Sequence, residues 1–111
     1  MSKKLELPQT ITALIKAQNE YDSNAYAALF SDNAIVHDEG KKYLGVSGIK
    51  QWNEETNKKY HIKLSPTNFV NNKKEFVLTV MVTGNFDGSP TALKYNFTFE
   101  DEKIKTLSIG G

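Results

Sequence analysis

Residues 29–52 read LFSDNAIVHDEGKKYLGVSGIKQW and join a short apolar segment to a carboxylate and then to a segment with helical spacing. Side chains alternate between the two faces of a β-strand, so a strand here would place Ala34, Val36 and Asp38 on one face. This pattern predicts an acid on a surface otherwise suited to burial, where proton-transfer chemistry is often found. A second interpretation stays open, in which Asp38 only ends the strand and caps a turn through Gly40.

The residues before this stretch have the periodicity of two helices. Residues 8–21 carry apolar side chains at helical spacing, and Pro8 suits a first helical turn. Asp22 or Ser23 is expected to cap a second, shorter helix that ends in the segment 31–33. Three residues would share the apolar face of that second helix: Tyr26, Leu29 and Phe30.

A third helix is predicted after the strand, with Ser47 as its cap. Three of its residues are expected to turn inward: Ile49, Trp52 and Thr56. Its solvent side carries two pairs of opposite charge at four-residue spacing, Glu54 with Lys58 and Glu55 with Lys59. Such pairs stabilise a helix, and we expect these four charges to belong to the scaffold and not to a site.

From Tyr60 onward the periodicity alternates, which predicts an antiparallel meander. Pro66 is expected at a bulge or a sheet edge, and residues 87–90 and 100–103 are expected to form turns. Three helices followed by such a meander predict an α+β fold with a concave interior, in a single domain that covers residues 1–111.

The composition excludes several classes of function. The chain has 111 residues, no cysteine and a net charge of +1, and all 14 of its basic residues are lysines. Disulfides and cysteine-ligated zinc are therefore excluded, and nucleic-acid binding is disfavoured because no arginine is present to grip phosphate. No apolar run is long enough to span a membrane, and the N-terminus MSKKLELPQT lacks the apolar part of a secretory signal. We therefore expect a cytoplasmic protein with no membrane partner.

The order of elements resembles the nuclear transport factor 2-like superfamily, in particular its SnoaL-like and ketosteroid isomerase-like members. The resemblance rests on Phe30–Ala34, on the acid in the following strand and on the glycine-led segment Gly45–Trp52. It implies a cone-shaped α+β barrel of the cystatin-like type, with three helices packed in the concave face of a curved, mainly antiparallel sheet. It also implies a cone-shaped pocket, but not the compound that fills it.

The resemblance also implies roles for individual residues. Asp38 falls where ketosteroid isomerase-like proteins carry their general base, while Leu14 replaces the tyrosine of the oxyanion hole. The position of the second oxyanion donor falls near Tyr95 or Phe97. The family's oxyanion hole is therefore not reproduced, and Tyr95 is expected to supply a single hydroxyl donor.

A pocket is predicted where inward strand faces meet the helices. Val82, Tyr95 and Phe97, with Gly84 removing bulk beside them, are expected to line an aromatic cavity with Trp52 as a wall. Leu14 completes the predicted pocket through the resemblance. Core packing would explain the same apolar stripe, and Gly84 would equally suit a bulge that curves the sheet.

His37 is a secondary candidate, since it is expected on the opposite face from Asp38, where it would meet solvent or a subunit contact. The acids and histidines near it do not predict a metal site, because adjacent strand residues point apart. No metal and no cofactor are expected.

Two functions are compatible with these patterns. The first is a domain that binds a small, mostly apolar molecule and transfers a proton with Asp38 as base, in an isomerase, cyclase or dehydratase reaction. The second is a non-catalytic binding or dimerisation module. A homodimer through the outer sheet face is expected in either case, because four residues on that face are uncharged: Val77, Thr79, Met81 and Thr83.

Overall fold

The computed structural model describes residues 7–71 and 76–110, in which three helices pack on one face of a six-stranded sheet. The helices are α1 (Gln9–Asn19), α2 (Ser23–Ala27) and α3 (Gly45–Tyr60). The strands are β1 (Phe30–Asp38), β2 (Lys41–Leu44), β3 (Lys63–Asn71), β4 (Phe76–Thr83), β5 (Thr91–Glu100) and β6 (Lys103–Gly110). Residues 1–6, on which much of the expectation about a secretory signal rests, lie outside the described residues. No helix within the described ranges is long and apolar enough to cross a membrane.

The strand order is β2-β1-β6-β5-β4-β3. Only the pairing of β1 with β6 is parallel, and the other four are antiparallel. The predicted α+β fold, a curved and mainly antiparallel sheet around three helices, is therefore confirmed. Pro66 lies at an irregularity in the pairing of β3 with β4, as predicted.

The core lies between the helices and the concave face of the sheet. The side chains that are less than 2% exposed come from both layers. The largest are Ile11, Leu14, Tyr26, Phe30, Val36, Ile49, Leu78, Val80, Phe97, Ile104 and Leu107. These side chains belong to a single contiguous hydrophobic cluster. Their removal from water is the main favourable contribution to folding.

The second helix is shorter than the sequence predicts. Asp22 caps it, because its Oδ1 accepts a hydrogen bond of 3.0 Å from the backbone N–H of Ala25, but the helix ends at Ala27. The prediction that Phe30 belongs to this helix is wrong, since Phe30 begins β1 and pairs with Ile104 of β6. The backbone N–H of Ile104 donates to the carbonyl of Leu29 at 2.9 Å. Pairing with β6 therefore makes Phe30 part of a strand, although the local sequence pattern favours a helix there.

The third helix also departs from the sequence prediction. It begins at Gly45, and Leu44 occupies the cap position without a side-chain hydrogen bond, so Ser47 lies inside the helix and does not cap it. The predicted Glu54–Lys58 and Glu55–Lys59 ion pairs do not form. Within residues 7–71 and 76–110, the only ion pair joins Lys16 and Glu20 at 3.1 Å. Long side chains at exposed positions gain little from such pairs, which explains why the spacing alone does not produce them.

Four buried polar side chains connect the three helices. Asn53 accepts a hydrogen bond from Ser23 Oγ at 2.8 Å and one from Asn57 Nδ2 at 3.1 Å, and donates to Gln18 Oε1 at 2.8 Å. Gln18 Nε2 in turn donates to Asn57 Oδ1 and to the backbone carbonyl of Ile62. Because every member has partners, the network orients α1, α2 and α3 without leaving a buried polar group unpaired.

Replacing Asn53 tests this network. Asn53→Ala leaves the buried hydroxyl of Ser23 without a partner and removes one hydrogen bond each from Gln18 and Asn57, so we expect a loss of about 3 kcal/mol in the free energy of unfolding. Urea unfolding measures this loss, with Asn24→Ala on the exposed face of α2 as the control. A loss below about 1 kcal/mol would mean that the network does not hold the helices together.

Candidate functional site

A cavity of about 500 Å³ lies between the helices and the concave side of the sheet. Its inner wall carries buried residues from all three helices and from β4 and β5, namely Gln18, Tyr26, Asn53, Val82 and Tyr95. Its outer part carries half-buried or exposed groups: Asp38, Glu39, Tyr43, Trp52, Glu55, Thr56, Lys59, Tyr60, Phe86 and Asp87. The buried part of the cavity wall therefore combines apolar, amide and phenolic groups, and the charged groups lie at half-buried or exposed positions.

Asp38 faces this cavity because its backbone is paired on both sides. It lies opposite Lys41 of β2 and beside Ile109 of β6. A two-residue turn of Glu39 (φ 52°) and Gly40 (φ 76°) reverses the chain after it, and positive φ at both positions is what a type I′ hairpin turn requires. Asp38 thus satisfies part of each interpretation of the sequence. It ends the strand before a turn, and it also faces the concave interior on the same side as Ala34 and Val36.

The sheet register brings Tyr95 into the same row as Asp38. Asp38 is the partner of Ile109, and Ile109 is the partner of Tyr95 on the next strand. Two strand spacings separate the two backbones by about 10 Å, a gap that two side chains and a small ligand can fill. Ile109 lies between them and lines the cavity.

The carboxyl group of Asp38 is electrostatically perturbed. Partial burial raises its pKa from the ordinary value, and the adjacent Glu39 carboxylate raises it further. The Trp52 side chain, which acts as a hydrogen-bond donor to the carboxylate, lowers the pKa and opposes part of this rise. A proton is therefore held more tightly by Asp38 than by an aspartate in water, which makes the carboxylate a stronger base.

Two buried phenols face the same space as Asp38. Tyr26 is 1% exposed and Tyr95 is 6% exposed, and neither makes a hydrogen bond to another residue of the described part of the chain. Burial raises the pKa of each, and the charge of Asp38 raises both further. Both hydroxyls therefore stay protonated at neutral pH and are available as hydrogen-bond donors.

Aromatic rings form the outer wall of the cavity. Tyr43 stacks on Trp52 with ring centroids 5.3 Å apart, and Tyr26 lies 6.3 Å from Trp52 on the inner side. Tyr60 meets Phe86 edge to face at 6.1 Å. Partial burial raises the pKa of Tyr43, and three carboxylates raise it further: Asp38, Glu39 and Glu55.

The structure brings some of the predicted pocket residues together. Asp38, Trp52, Val82 and Tyr95 all line the cavity. Leu14 does not line it, because it is fully buried in the core on α1.

Phe97 also lies in the core and not along the cavity. It pairs with Leu107, and Leu107 pairs with Val36, so these three residues form the row next to that of Asp38. All three are at most 1% exposed. Tyr95 and Phe97 are two residues apart on the same face of β5, so one row of side chains belongs to the cavity wall and the next row belongs to the core.

Gly84 has a packing role beside the cavity. A Cβ atom there would lie 2.6 Å from the backbone carbonyl oxygen of Tyr60 and 3.1 Å from the ring of Phe86. The absence of a side chain lets the chain that follows β4 approach the end of α3, where the N–H of Asn85 donates to the Tyr60 carbonyl at 2.7 Å. Gly84 thus positions two rings that line the cavity without lining it itself.

The histidines lie away from the cavity. His37 pairs with Lys42 and Ser108 on the opposite face of β1 from Asp38, and His61 is exposed after α3. The described residues contain no group of three acidic or histidine side chains placed to hold a metal ion.

Sequence reasoning missed several residues that line the cavity. It placed Tyr26 only on the apolar face of the second helix, gave Tyr43 and Tyr60 no place in the pocket, and assigned Glu55 and Lys59 to the scaffold, although all five residues line the cavity. The helical spacing of Trp52, Glu55 and Lys59 contained the signal, since residues three and four apart share one helix face.

Comparison with solved structures identifies the family. A candidate polyketide cyclase from Sinorhizobium meliloti is 30% identical, with a TM-score of 0.89 over 93% of this chain and 94% of that chain. A ketosteroid isomerase-like protein from Catenulispora acidiphila, in complex with trimethylamine, is 18% identical, with a TM-score of 0.85 over 96% and 87%. SalBIII, an epoxide hydrolase/cyclase-like enzyme in pyran ring formation in salinomycin, is 20% identical, with a TM-score of 0.72 over 92% and 87%. No protein-family model and no curated protein sequence matches the chain.

These structures share one architecture of helices inside a curved sheet. The chain belongs to the nuclear transport factor 2-like superfamily, in the group of SnoaL-like proteins. The resemblance seen in the sequence is therefore confirmed.

Neutralising Asp38 tests the perturbation of its carboxyl group. Because the pKa is raised in the folded protein, the folded state binds this proton more tightly than the unfolded state does. The group therefore favours folding fully below about pH 4, and this contribution is lost as the pH rises through the folded pKa. Asp38→Asn removes the cost of the charge while keeping an oxygen for Trp52, so we expect its melting temperature at pH 7 to exceed that of the wild type.

The gain in melting temperature should shrink toward pH 3, where the wild-type carboxyl is protonated. Asp32→Asn makes the same chemical change at an exposed position of β1 and serves as the control. A lower melting temperature for Asp38→Asn than for the wild type at pH 7 would contradict the assignment of Asp38 as a carboxylate under desolvation.

Proposed function

We propose that this protein binds a small carbonyl compound in its cavity and catalyses a proton transfer with Asp38 as the general base. The observation that carries the proposal is that a half-buried carboxylate with a raised pKa lines the same cavity as two buried tyrosines. The reaction is of the isomerase, cyclase or dehydratase type and needs no cofactor.

The proposed step breaks a C–H bond next to a carbonyl group. The Asp38 carboxylate takes the proton, and the electron pair of that bond moves to the carbonyl oxygen, which becomes an enolate. The protonated Asp38 then returns the proton to another carbon, or the enolate carbon attacks a second carbonyl group and closes a ring, and the alkoxide formed on that carbonyl takes the proton from Asp38. Both outcomes conserve atoms and electrons within the substrate and Asp38.

The phenols of Tyr26 and Tyr95 are proposed to stabilise the enolate oxygen. Their hydroxyls have no partner among the described residues and stay protonated, so they can donate to the oxygen where negative charge develops. This pair replaces the donor that the sequence comparison found missing at Leu14. Trp52, whose side-chain hydrogen bond lowers the pKa of Asp38, is proposed to orient its carboxylate.

Hydrogen exchange of a model ketone tests the base without knowledge of the natural substrate. The wild-type protein should accelerate deuterium incorporation next to the carbonyl of 2-cyclohexen-1-one in D₂O, followed by proton NMR. Asp38→Asn should lower the catalysed rate about 100-fold, since a positioned general base contributes about that much or more. Tyr95→Phe should lower it about tenfold, because one donor of about 1.4 kcal/mol is lost while Tyr26 remains.

The exchange rate of the wild type should rise with pH as Asp38 loses its proton. Glu54→Gln changes an exposed acid of α3 outside this cavity and is the control, with no expected effect. Asp38→Asn exchanging the ketone as fast as the wild type would remove Asp38 from the mechanism.

The second proposal concerns a role in association. Val77, Thr79, Met81 and Asn96 lie on the outer face of the sheet, carry no charge and are neither fully buried nor fully exposed in the single chain, and Lys94, opposite Thr79, is the charged residue among their cross-strand partners. A sheet face with so few charges suits packing against the same face of a second copy. We therefore propose a homodimer through this face, whether or not the cavity is catalytic.

Light scattering at micromolar concentration tests the dimer. The wild type should have the mass of two chains, and Met81→Glu should have the mass of one, because a charge would be buried without a partner. Thr12→Glu adds the same charge on the exposed face of α1 and should leave the dimer intact. A wild type that scatters as a single chain would contradict the proposal.

A further inference from the structure

The charge along the cavity is strongly one-sided although the whole chain is nearly neutral. Among the described residues that line it, four are acids, Asp38, Glu39, Glu55 and Asp87, and one is a base, Lys59. The full chain has 13 acidic and 14 basic residues. The excess of negative charge is therefore a property of this cavity and not of the protein, and it favours a ligand of opposite sign.

Aromatic rings lie among these acids. Tyr43 and Trp52 stack at 5.3 Å on one side of the cavity, and Glu39 and Glu55 act on the Tyr43 phenol with Asp38. Carboxylates that line the same cavity as tryptophan and tyrosine rings provide groups of the kind that bind organic cations.

The chain itself shows that a ring of this cavity accepts an ammonium group. The Lys59 Nζ atom lies 5.1 Å from the centroid of the Tyr60 ring, and both residues line the cavity. This contact lies within the distance at which a cation is attracted to a ring face. Among the described residues, no lysine ammonium group makes such a contact with the ring of Tyr43 or Trp52.

A second, independent feature points to a ligand in the same cavity. The Tyr26 and Tyr95 side chains are more than nine-tenths buried, line the inner end and have no hydrogen-bond partner among the described residues. Their hydroxyl oxygens are not among the fully enclosed unpaired atoms, so they are accessible from the cavity, where a polar group of a ligand can accept their hydrogen bonds. The cavity thus offers hydrogen-bond donors inside and carboxylates with ring faces outside.

The proposed proton transfer would benefit from a positive group on the substrate. An enolate formed beside Glu39 and Glu55 is destabilised by their like charge. A positive group on the substrate, held between these acids and the developing enolate, would offset that repulsion.

We propose, on the basis of the function proposed above, that the substrate carries an organic ammonium group together with its carbonyl group. The ammonium group lies against Tyr43 and Trp52 with Glu39 and Glu55 as counter-charges, and the carbonyl end reaches Tyr26 and Tyr95. The substrate class is an amine-bearing carbonyl compound.

A pair of isosteric probes tests the ammonium site. Choline and 3,3-dimethylbutan-1-ol have nearly the same shape, but only choline is charged. Trp52 is the single tryptophan of the chain, so its indole N–H gives one NMR signal that reports binding at the proposed site. We expect choline to bind about tenfold more tightly than the alcohol, which corresponds to about 1.4 kcal/mol.

Two double variants separate local from overall charge. Glu39→Gln with Glu55→Gln removes the proposed counter-charges and should bring the ratio of the two affinities close to one. Glu54→Gln with Glu100→Gln makes the same change in net charge at exposed positions outside this cavity and should keep the ratio of the wild type.

Three results would overturn the proposal: equal affinity of the wild type for both probes, no shift of the indole signal with either, or an unchanged ratio in the cavity variant. The ketone exchange experiment uses a neutral compound, so its failure is distinguishable from these. A preference for choline without Asp38-dependent exchange would remove the proposed catalysis and leave the ammonium site.

Discussion

The structure of the site depends on the pairing of β1 with strands on both of its sides. Hydrogen bonding to β2 and β6 decides which face of β1 turns toward the helices, because a slip of one residue would exchange the two faces. With the observed register, Ala34 and Val36 enter the core and Asp38 follows them onto the same face at the edge of the cavity. The position of one carboxylate is therefore a consequence of burying two apolar side chains.

The placement of Asp38 explains the electrostatics around it. Its charge raises the pKa of Tyr26, Tyr43 and Tyr95, three phenols from three different elements. Partial burial of the Asp38 carboxylate itself lowers the stability of the folded protein at neutral pH, and such costs are typical of functional sites. Packing alone would be served as well by an apolar residue at this position.

The sequence predicts the fold better than it predicts the site, for identifiable reasons. Alternation and helical spacing describe which side chains are buried, and they correctly indicate the three helices, the meander and the face of Asp38. They do not tell a core row from a cavity row, so Phe97 is assigned to the cavity although its row continues through Leu107 into the core. They also do not predict that Phe30 belongs to a strand, because its partner in β6 is more than 70 positions away in the sequence.

The position of Asp38 in the cavity removes part of the water around its carboxylate and raises its pKa. Titration of the Asp38 side chain tests this most directly. The carboxyl carbon of Asp38, assigned by comparison with Asp38→Asn, can be followed by ¹³C NMR from pH 2 to pH 8. The account predicts a midpoint above the ordinary aspartate value of about 4. A midpoint at or below that value would mean that burial does not dominate the energetics of the carboxylate, and would contradict the account.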